Sequence, residues 1–174
     1  VDDVELAEES QDFGYSLGVL HHVPDTQAAI KSCVKLLKPG APLLLYLYYR
    51  FDNRPWWFEG VWKISDVLRK LIFRLPDKAK YLVTDLIAFF IYWPTCRLIE
   101  LISILGLPVR NIPLSYYKDK SLYTMRTDSR DRFGTPLEKR YLREEIEKMM
   151  IEAGLSQINF SERPPFWCVV GVKN

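Results

Sequence analysis

The spacing of apolar and polar residues predicts a strand, a helix and a second strand within the first 49 residues. Phe13 to Leu20 is a short, mostly apolar run without proline, which is typical of a buried strand. From about Thr26 to Leu37 the apolar residues recur at helical spacing, with Asp25 as a candidate N-cap and Pro39-Gly40 as a stop signal. Ala41 to Tyr49 is a second apolar run. Two strands joined by one helix of this length form a βαβ unit, so we expect them to be parallel.

Two apolar helical segments follow in the middle of the chain. Trp56 to Leu75 carries its charged residues mostly on one side, and the other side is an apolar stripe of Trp57, Val61, Ile64, Leu68, Leu71 and Ile72. Lys78 to Leu105 is apolar enough to raise the question of a membrane span. Asp85, Arg97 and Glu100 lie inside its apolar part, and each would cost on the order of 3 kcal/mol at the centre of a bilayer. We therefore expect two packed helices that meet at Pro94.

The last third of the chain predicts a loop, a helix and two strands. Ser115 to Arg140 is polar and aromatic, as a surface loop would be. Leu142 to Ala153 has helical spacing and ends at Gly154. Gln157 to Ser161 and Phe166 to Val172 are expected to be strands.

Composition excludes several classes of protein. The 174 residues are 48% hydrophobic and 26% charged, with a net charge of +2, so the chain suits a soluble domain and offers no electrostatic case for nucleic acid. The three cysteines, Cys33, Cys96 and Cys168, are scattered and lack any CxxC spacing. We therefore expect a reduced, cytoplasmic protein without disulfides or a metal site.

One ordered motif resembles a known family. Residues 15–25 read Tyr-Ser-Leu-Gly-Val-Leu-His-His-Val-Pro-Asp, and the helix after them ends in Leu-Leu-Lys-Pro-Gly before an apolar strand. This order resembles the fourth strand, next helix and fifth strand of class I S-adenosylmethionine (SAM)-dependent methyltransferases. The small-molecule type, which includes ubiquinone and menaquinone methyltransferases, is the most similar. The resemblance implies an α/β fold with a partial Rossmann-like methyltransferase sheet, made of strands 4 and 5 and a final antiparallel hairpin, with a helical insertion. It also implies S-adenosyl-L-methionine as the cofactor.

The resemblance leaves out the first half of that fold. Methyltransferases of this type need a glycine-rich turn after their first strand and an acidic residue after their second, and neither pattern precedes Phe13. We therefore expect a truncated chain, or the C-terminal portion of a longer protein, that is inactive by itself. Such a half-sheet would have an exposed edge strand, so we expect the chain to self-associate.

These elements suggest a division into three segments. Residues 1–49 would start the half-sheet, 50–123 would be a helical insertion or lid, and 124–174 would be the closing loop, last helix and terminal hairpin of the same domain. For the insertion we favour a lid over an apolar or partly apolar substrate. Extra core packing, a dimer face and a peripheral membrane contact remain as alternatives.

The resemblance implies a set of cofactor-binding residues. Asp3 and Val4 would lie beside the adenine, although a solvated terminus explains them equally well. Ser16, Leu17 and Gly18 would lie beside the ribose and the methionine arm, largely through backbone contacts. Ligands of an open α/β sheet bind beyond the carboxyl ends of its strands, where these three residues are expected.

Candidate catalytic and substrate-binding residues lie at the same edge or in the closing loop. His21 or His22 could act as a base or bond the acceptor, because imidazole titrates near neutral pH. For each histidine taken alone, we favour the alternative of a turn residue whose N–H bonds a carbonyl. Tyr48 and Tyr123 are candidate pocket walls, with core or surface packing as the alternative. Asp128 and Asp131 belong to a stretch that resembles a loop closing the active site in some of these methyltransferases.

The sequence supports two functional hypotheses. The first is SAM-dependent methyl transfer to a small-molecule or lipid-like acceptor, carried out by the longer protein. The second is a non-catalytic partner-binding or membrane-surface module that uses the apolar insertion as its interface.

Overall fold

The computed structural model describes residues 6–51, 54–163 and 167–174. Two compact units share the chain: the first comprises Val1–Asp52 and Leu137–Asn174, and the second comprises Asn53–Pro136. The helices and strands are, in chain order, β1 (Gly14–Leu17), α1 (Thr26–Leu36), β2 (Pro42–Tyr46), α2 (Trp56–Ile72), α3 (Asp77–Ile87), α4 (Trp93–Ile104), α5 (Leu122–Gly134), α6 (Arg143–Glu152), β3 (Leu155–Phe160) and β4 (Cys168–Lys173).

The first unit is an α/β layer, as the sequence predicts. Its four strands lie in the order β1-β2-β4-β3. β1 and β2 are parallel, and β4 runs antiparallel to both β2 and β3. The βαβ unit and the terminal hairpin are thus confirmed, although Phe166, expected in the last strand, lies outside the described residues.

Local capping and close packing explain how α1 and α6 are placed. The Asp25 carboxylate accepts a hydrogen bond from the Ala28 amide at 2.9 Å and so caps α1. Ile30 of α1 and Met150 of α6 are fully buried in the same core as Leu43 and Leu45 of β2. The sheet therefore has one face covered by helices of its own unit.

The opposite face of β1 is open, which corrects the prediction of a buried strand. Phe13, Tyr15, Leu17 and Val19 are exposed, whereas Gly14 lies against the core. Alternate residues of a strand point to opposite faces, so helices on one face bury only half of them. No described residue pairs with the outer edge of β1.

The second unit is helical, and its central helix α5 corrects the prediction of a loop between residues 115 and 140. α5 packs against both α2 and α3. Met125, Ser129 and Phe133, spaced four residues apart, are buried along one side. The Ser121 hydroxyl accepts a bond from the Thr124 amide at 3.2 Å and caps the helix.

The expected break at Pro94 is absent, and residues 77–104 form one continuous helix. A π-helical turn, Ala88–Tyr92, joins α3 to α4, and there the Trp93 amide donates to the Ala88 carbonyl. Pro94 follows directly after this π-helical turn, whose wider backbone accommodates a residue that has no N–H to donate. By length and composition alone, this is the one helix in the described part of the chain that could cross a membrane.

Candidate functional site

The carboxyl ends of β1 and β2 are joined by a backbone hydrogen bond at a glycine. The Gly18 amide donates to the Tyr46 carbonyl at 3.0 Å. Gly18 has a φ of +73°, which side-chain-bearing residues rarely adopt. The chain then enters a single 3₁₀ turn, Leu20–His22. We call residues 18–23 the histidine turn.

His21 is sealed within this turn. Its ring stacks on Tyr48, with ring centroids 3.7 Å apart and planes 26° apart. Its exposed fraction is 0%. Neither ring nitrogen has a hydrogen-bond partner among the described residues. Burial, helped by the neighbouring His22 and Arg140, lowers the pKa of His21 to about 3, so the imidazole is neutral near pH 7.

His22 has a defined tautomer and is only half-buried. Its Nδ1 lies 2.6 Å from the Leu137 carbonyl oxygen. A carbonyl can only accept, so Nδ1 carries the proton and donates it. The other nitrogen, Nε2, is then the one with a lone pair able to accept a proton.

A buried ion pair beside the histidine turn was missed by sequence reasoning. Arg140 and Glu138 lie 2.7 Å apart, with side chains 8% and 2% exposed. The Arg140 guanidinium lies over the ring of Tyr48, 5.0 Å from its centroid, and over the ring of Phe51, 4.5 Å away. A run of charged residues, Glu-Lys-Arg, normally indicates a solvated surface, so the sequence contains no signal for this burial.

Backbone bonds and hydroxyl groups hold the segment around Arg140 against the turn. The Lys139 amide donates to the His21 carbonyl at 2.9 Å. The Tyr141 hydroxyl donates to Thr26 Oγ1 at 2.7 Å, and that hydroxyl donates in turn to the Leu20 carbonyl at 2.8 Å. These bonds hold the Leu20 and His21 carbonyl groups of the histidine turn in place.

The other predicted cofactor-binding residues are only partly described. Asp3 and Val4 lie outside the described residues. Ser16 is half-buried and lies opposite Leu45 in the β1–β2 register. Leu17 is exposed on the open face of the sheet, one residue before the Gly18 bend.

Three predicted substrate residues belong to α5 of the second unit. Asp128 points inward and accepts a hydrogen bond from the Tyr117 hydroxyl. Burial raises the pKa of Asp128, and the Tyr117 bond works against this rise. Tyr123 and Asp131 are exposed. The predicted set thus divides, with His21, His22 and Tyr48 brought together in the first unit.

No metal centre is evident in the described ranges. They contain no group of three or more His, Cys, Asp or Glu side chains placed to hold an ion. The histidine pair therefore has no third ligand among those residues.

Comparisons with known proteins match only the first part of the chain to a family model. The family model described as "Methyltransferase domain" matches residues 1–45. No curated protein matches the chain.

Several solved structures resemble the chain at low sequence identity. One is a SAM-dependent methyltransferase from Thermotoga maritima, described as a possible histamine N-methyltransferase, with a TM-score of 0.46, 12% identity, and coverage of 99% of this chain and 60% of that chain. Another, from Methanosarcina mazei, belongs to the SAM-dependent methyltransferases, with a TM-score of 0.47, 13% identity and coverage of 98% and 62%. A third, a possible exported protein from Bordetella parapertussis, has a TM-score of 0.43, 13% identity and coverage of 97% and 40%. The chain spans less than two thirds of the length of each.

Residues 1–45 hold β1, the histidine turn, α1 and most of β2. This part of the chain is therefore similar in sequence to a methyltransferase domain.

Proposed function

We propose that this chain is the C-terminal portion of a SAM-dependent methyltransferase that acts on a small-molecule or lipid-like acceptor. The observation that carries the proposal is the place of the histidine turn. It lies inside the stretch that matches a methyltransferase domain, and it follows β1 at the edge where open α/β sheets bind ligands. The resemblance of residues 15–25 to the small-molecule type of these enzymes supports the reaction class and does not specify the acceptor.

The residues at this edge fit the cofactor in two respects. Gly18 adopts a positive φ and has no side chain, so a ligand can approach its backbone closely. His21 is a buried imidazole whose nitrogens are unpaired among the described residues, which is uncommon unless a ligand or a rearrangement completes the bonding. SAM, when bound, supplies an activated methyl group on a sulfonium sulfur.

The chain's own residues would position the acceptor and accept its proton. At this edge the histidine turn would hold the acceptor, to which SAM would supply the methyl group. An oxygen or carbon acid must also lose a proton, and Nε2 of His22 is the group we assign to receive it.

Calorimetric titration of S-adenosylhomocysteine, the demethylated product, tests the cofactor site. It should bind the full-length gene product and fail to bind the 174-residue chain. In the full-length product, Gly18→Ala should weaken binding, because a side chain at this φ forces the backbone to shift. Gly40→Ala is the matched control, since Gly40 also has a positive φ, of +80°, at a turn remote from the histidines.

Both glycine substitutions should lower stability by about 1 kcal/mol, but only Gly18→Ala should alter affinity. Absence of binding to either protein would overturn the methyltransferase proposal.

The base is tested with His22→Asn, whose amide can still donate to the Leu137 carbonyl. This substitution should slow transfer to an oxygen or carbon acid by roughly 10²-fold or more without weakening S-adenosylhomocysteine binding. An unchanged rate would remove His22 from the mechanism.

A further inference from the structure

Most of the apolar stripe of α2 faces away from its own unit, and only Ile72 of the stripe is buried. Ile64 is 66% exposed, and the other outward residues of the helix are Trp57, Val61, Val67, Leu68 and Leu71. The inward side instead carries a charged pair, Arg69 and Asp66, whose side chains are only 6% and 14% exposed. A helix of a water-soluble unit normally has the reverse arrangement.

The long helix 77–104 is also apolar on its outward side, in addition to its buried side. Its inward side is lined by Thr84, Ala88, Tyr92, Cys96 and Ile99. Its outward residues include Leu82, Leu86, Phe89, Phe90, Leu101 and Ile104, the last of which is 76% exposed. Only 22% of its most apolar window is buried. Contiguous exposed apolar surface of this kind marks a surface that has a partner.

Polar side chains join two helices of the second unit. Asp85 of α3 accepts hydrogen bonds from Arg126 at 2.7 Å and from Arg130 at 3.0 Å, both on α5. The Ser129 hydroxyl donates to the Thr84 carbonyl at 2.8 Å. These bonds join α3 to α5, so the apolar side chains outside are not needed to hold the two helices together.

The charge of this unit indicates the partner. Residues 53–136 carry 14 Lys and Arg against 8 Asp and Glu, a net charge of +6, whereas the rest of the chain carries 10 against 14, a net charge of −4. A basic unit with outward leucine, isoleucine, phenylalanine and tryptophan has the composition of proteins that lie in the interface of anionic membranes. Trp56, at the start of α2, is exposed, and tryptophan side chains are enriched at such interfaces.

We propose that the second unit docks onto an anionic phospholipid surface through the outward faces of α2 and of the helix 77–104. It lies on the surface and does not span the bilayer. Thr127 and Asp131 on the outer side of α5 are exposed and polar, and the Asp85 ion pairs lie within the first third of the long helix. The proposal rests on the second unit alone and is independent of the methyl-transfer proposal.

Vesicle flotation of the 174-residue chain tests this surface. The chain should float with vesicles of phosphatidylcholine mixed with phosphatidylglycerol, and more weakly with phosphatidylcholine alone or at high salt. Ile64→Ser and Ile104→Ser should each weaken binding about tenfold, because each variant loses one large apolar side chain that would otherwise move from water into the membrane. Both positions are exposed, so the fold should persist, and an unchanged circular dichroism spectrum checks it.

Ile151→Ser is the matched control, since Ile151 is an isoleucine of similar exposure on α6 of the first unit. It should leave flotation unchanged. Three results would overturn the proposal: no flotation of the unaltered chain, an equal loss in Ile151→Ser, or resistance of the bound chain to alkaline extraction, which would indicate a span. A chain that does not bind vesicles and becomes smaller in light scattering after Ile64→Ser would instead assign the surface to a second copy.

Discussion

Two adjacent histidines differ in chemistry because their surroundings differ. His21 is stacked on Tyr48 inside the core of the first unit, and burial keeps it neutral. His22 is half-buried, and its Nδ1–H donates a hydrogen bond to the Leu137 carbonyl. The sequence marks both as candidates, and only the position of each ring separates the sealed imidazole from the accessible one.

The buried His21 should make the first unit less stable in mild acid. Its pKa falls from 6.5 to about 3 on folding, so the unfolded chain takes up a proton first as the pH falls. His21 therefore stabilises the folded state above pH 6.5, and this contribution is lost below it, by about 1.4 kcal/mol for each pH unit. Denaturant unfolding followed by circular dichroism between pH 7 and about 5, above most carboxyl groups, measures the slope.

His21→Phe is the comparison variant, because a phenyl ring can keep the stack on Tyr48 and cannot titrate. Its unfolding free energy should vary less with pH over the same range. Equal slopes in the two proteins would mean that His21 is protonated in the folded state, and would contradict its buried, neutral form.

At the scale of helices, periodicity identifies a face but not what covers it. The stripe of α2 is present in the sequence, yet the structure turns most of it outward and buries Arg69. Arg69 donates to Asp66 at 2.6 Å and to the carbonyls of Thr135 and Pro136 at 3.0 and 2.8 Å. These bonds fix the chain that leaves α5, and they explain why a charged residue occupies the interior.

Arg69→Ala should destabilise the second unit by roughly 3–5 kcal/mol, because it leaves a buried carboxylate and two carbonyl groups without this donor. Lys70→Ala is the matched control. Lys70 also contacts Asp66, at 2.8 Å, but its side chain is 59% exposed, and its loss should cost under about 1 kcal/mol. Denaturant unfolding followed by tryptophan fluorescence measures both, since four of the five tryptophans lie in residues 53–136. Equal losses of unfolding free energy in the two variants would show that the Arg69–Asp66 pair stabilises the unit no more than the exposed Lys70–Asp66 pair does.

At the scale of the whole molecule, the first unit leaves apolar surface on β1. Its outer edge has no partner among the described residues, and Tyr15 and Leu17 are exposed on the open face. An unpaired strand with apolar residues is a template for association. This is the surface that a longer protein would cover if the chain is its C-terminal portion, as we propose.

The chain should therefore self-associate in solution, and light scattering should give a mass above that of one 20.5 kDa chain. Tyr15→Lys should lower this mass by adding a charge to the edge. Tyr123→Lys, at an exposed tyrosine on the polar helix α5, should leave it unchanged. A uniform monomer in the unaltered chain would contradict the prediction.

Much of the first unit could be predicted from the sequence because its signals are local. The Asp25 cap, the Pro39-Gly40 stop and the apolar runs on both sides of α1 depend on neighbours within a few residues. Helix α5 was missed because its buried face consists of methionine, serine and phenylalanine, so apolar residues do not recur regularly along one side of the helix. The helix at Pro94 was predicted to break because a π-helical turn has no sequence signature.

The sequence by itself determined the parallel βαβ unit, the terminal hairpin and the resemblance of the histidine turn, since each follows from short-range spacing. Only the tertiary structure decided that His21 is sealed, that Glu138 and Arg140 come to lie beside Tyr48, and that most of the stripe of α2 faces outward. The reason is that burial and ion pairing depend on segments about 90 to 115 residues apart in the chain, such as Tyr49 with Arg140 and His22 with Leu137. Local propensity carries no information about which of those segments will meet.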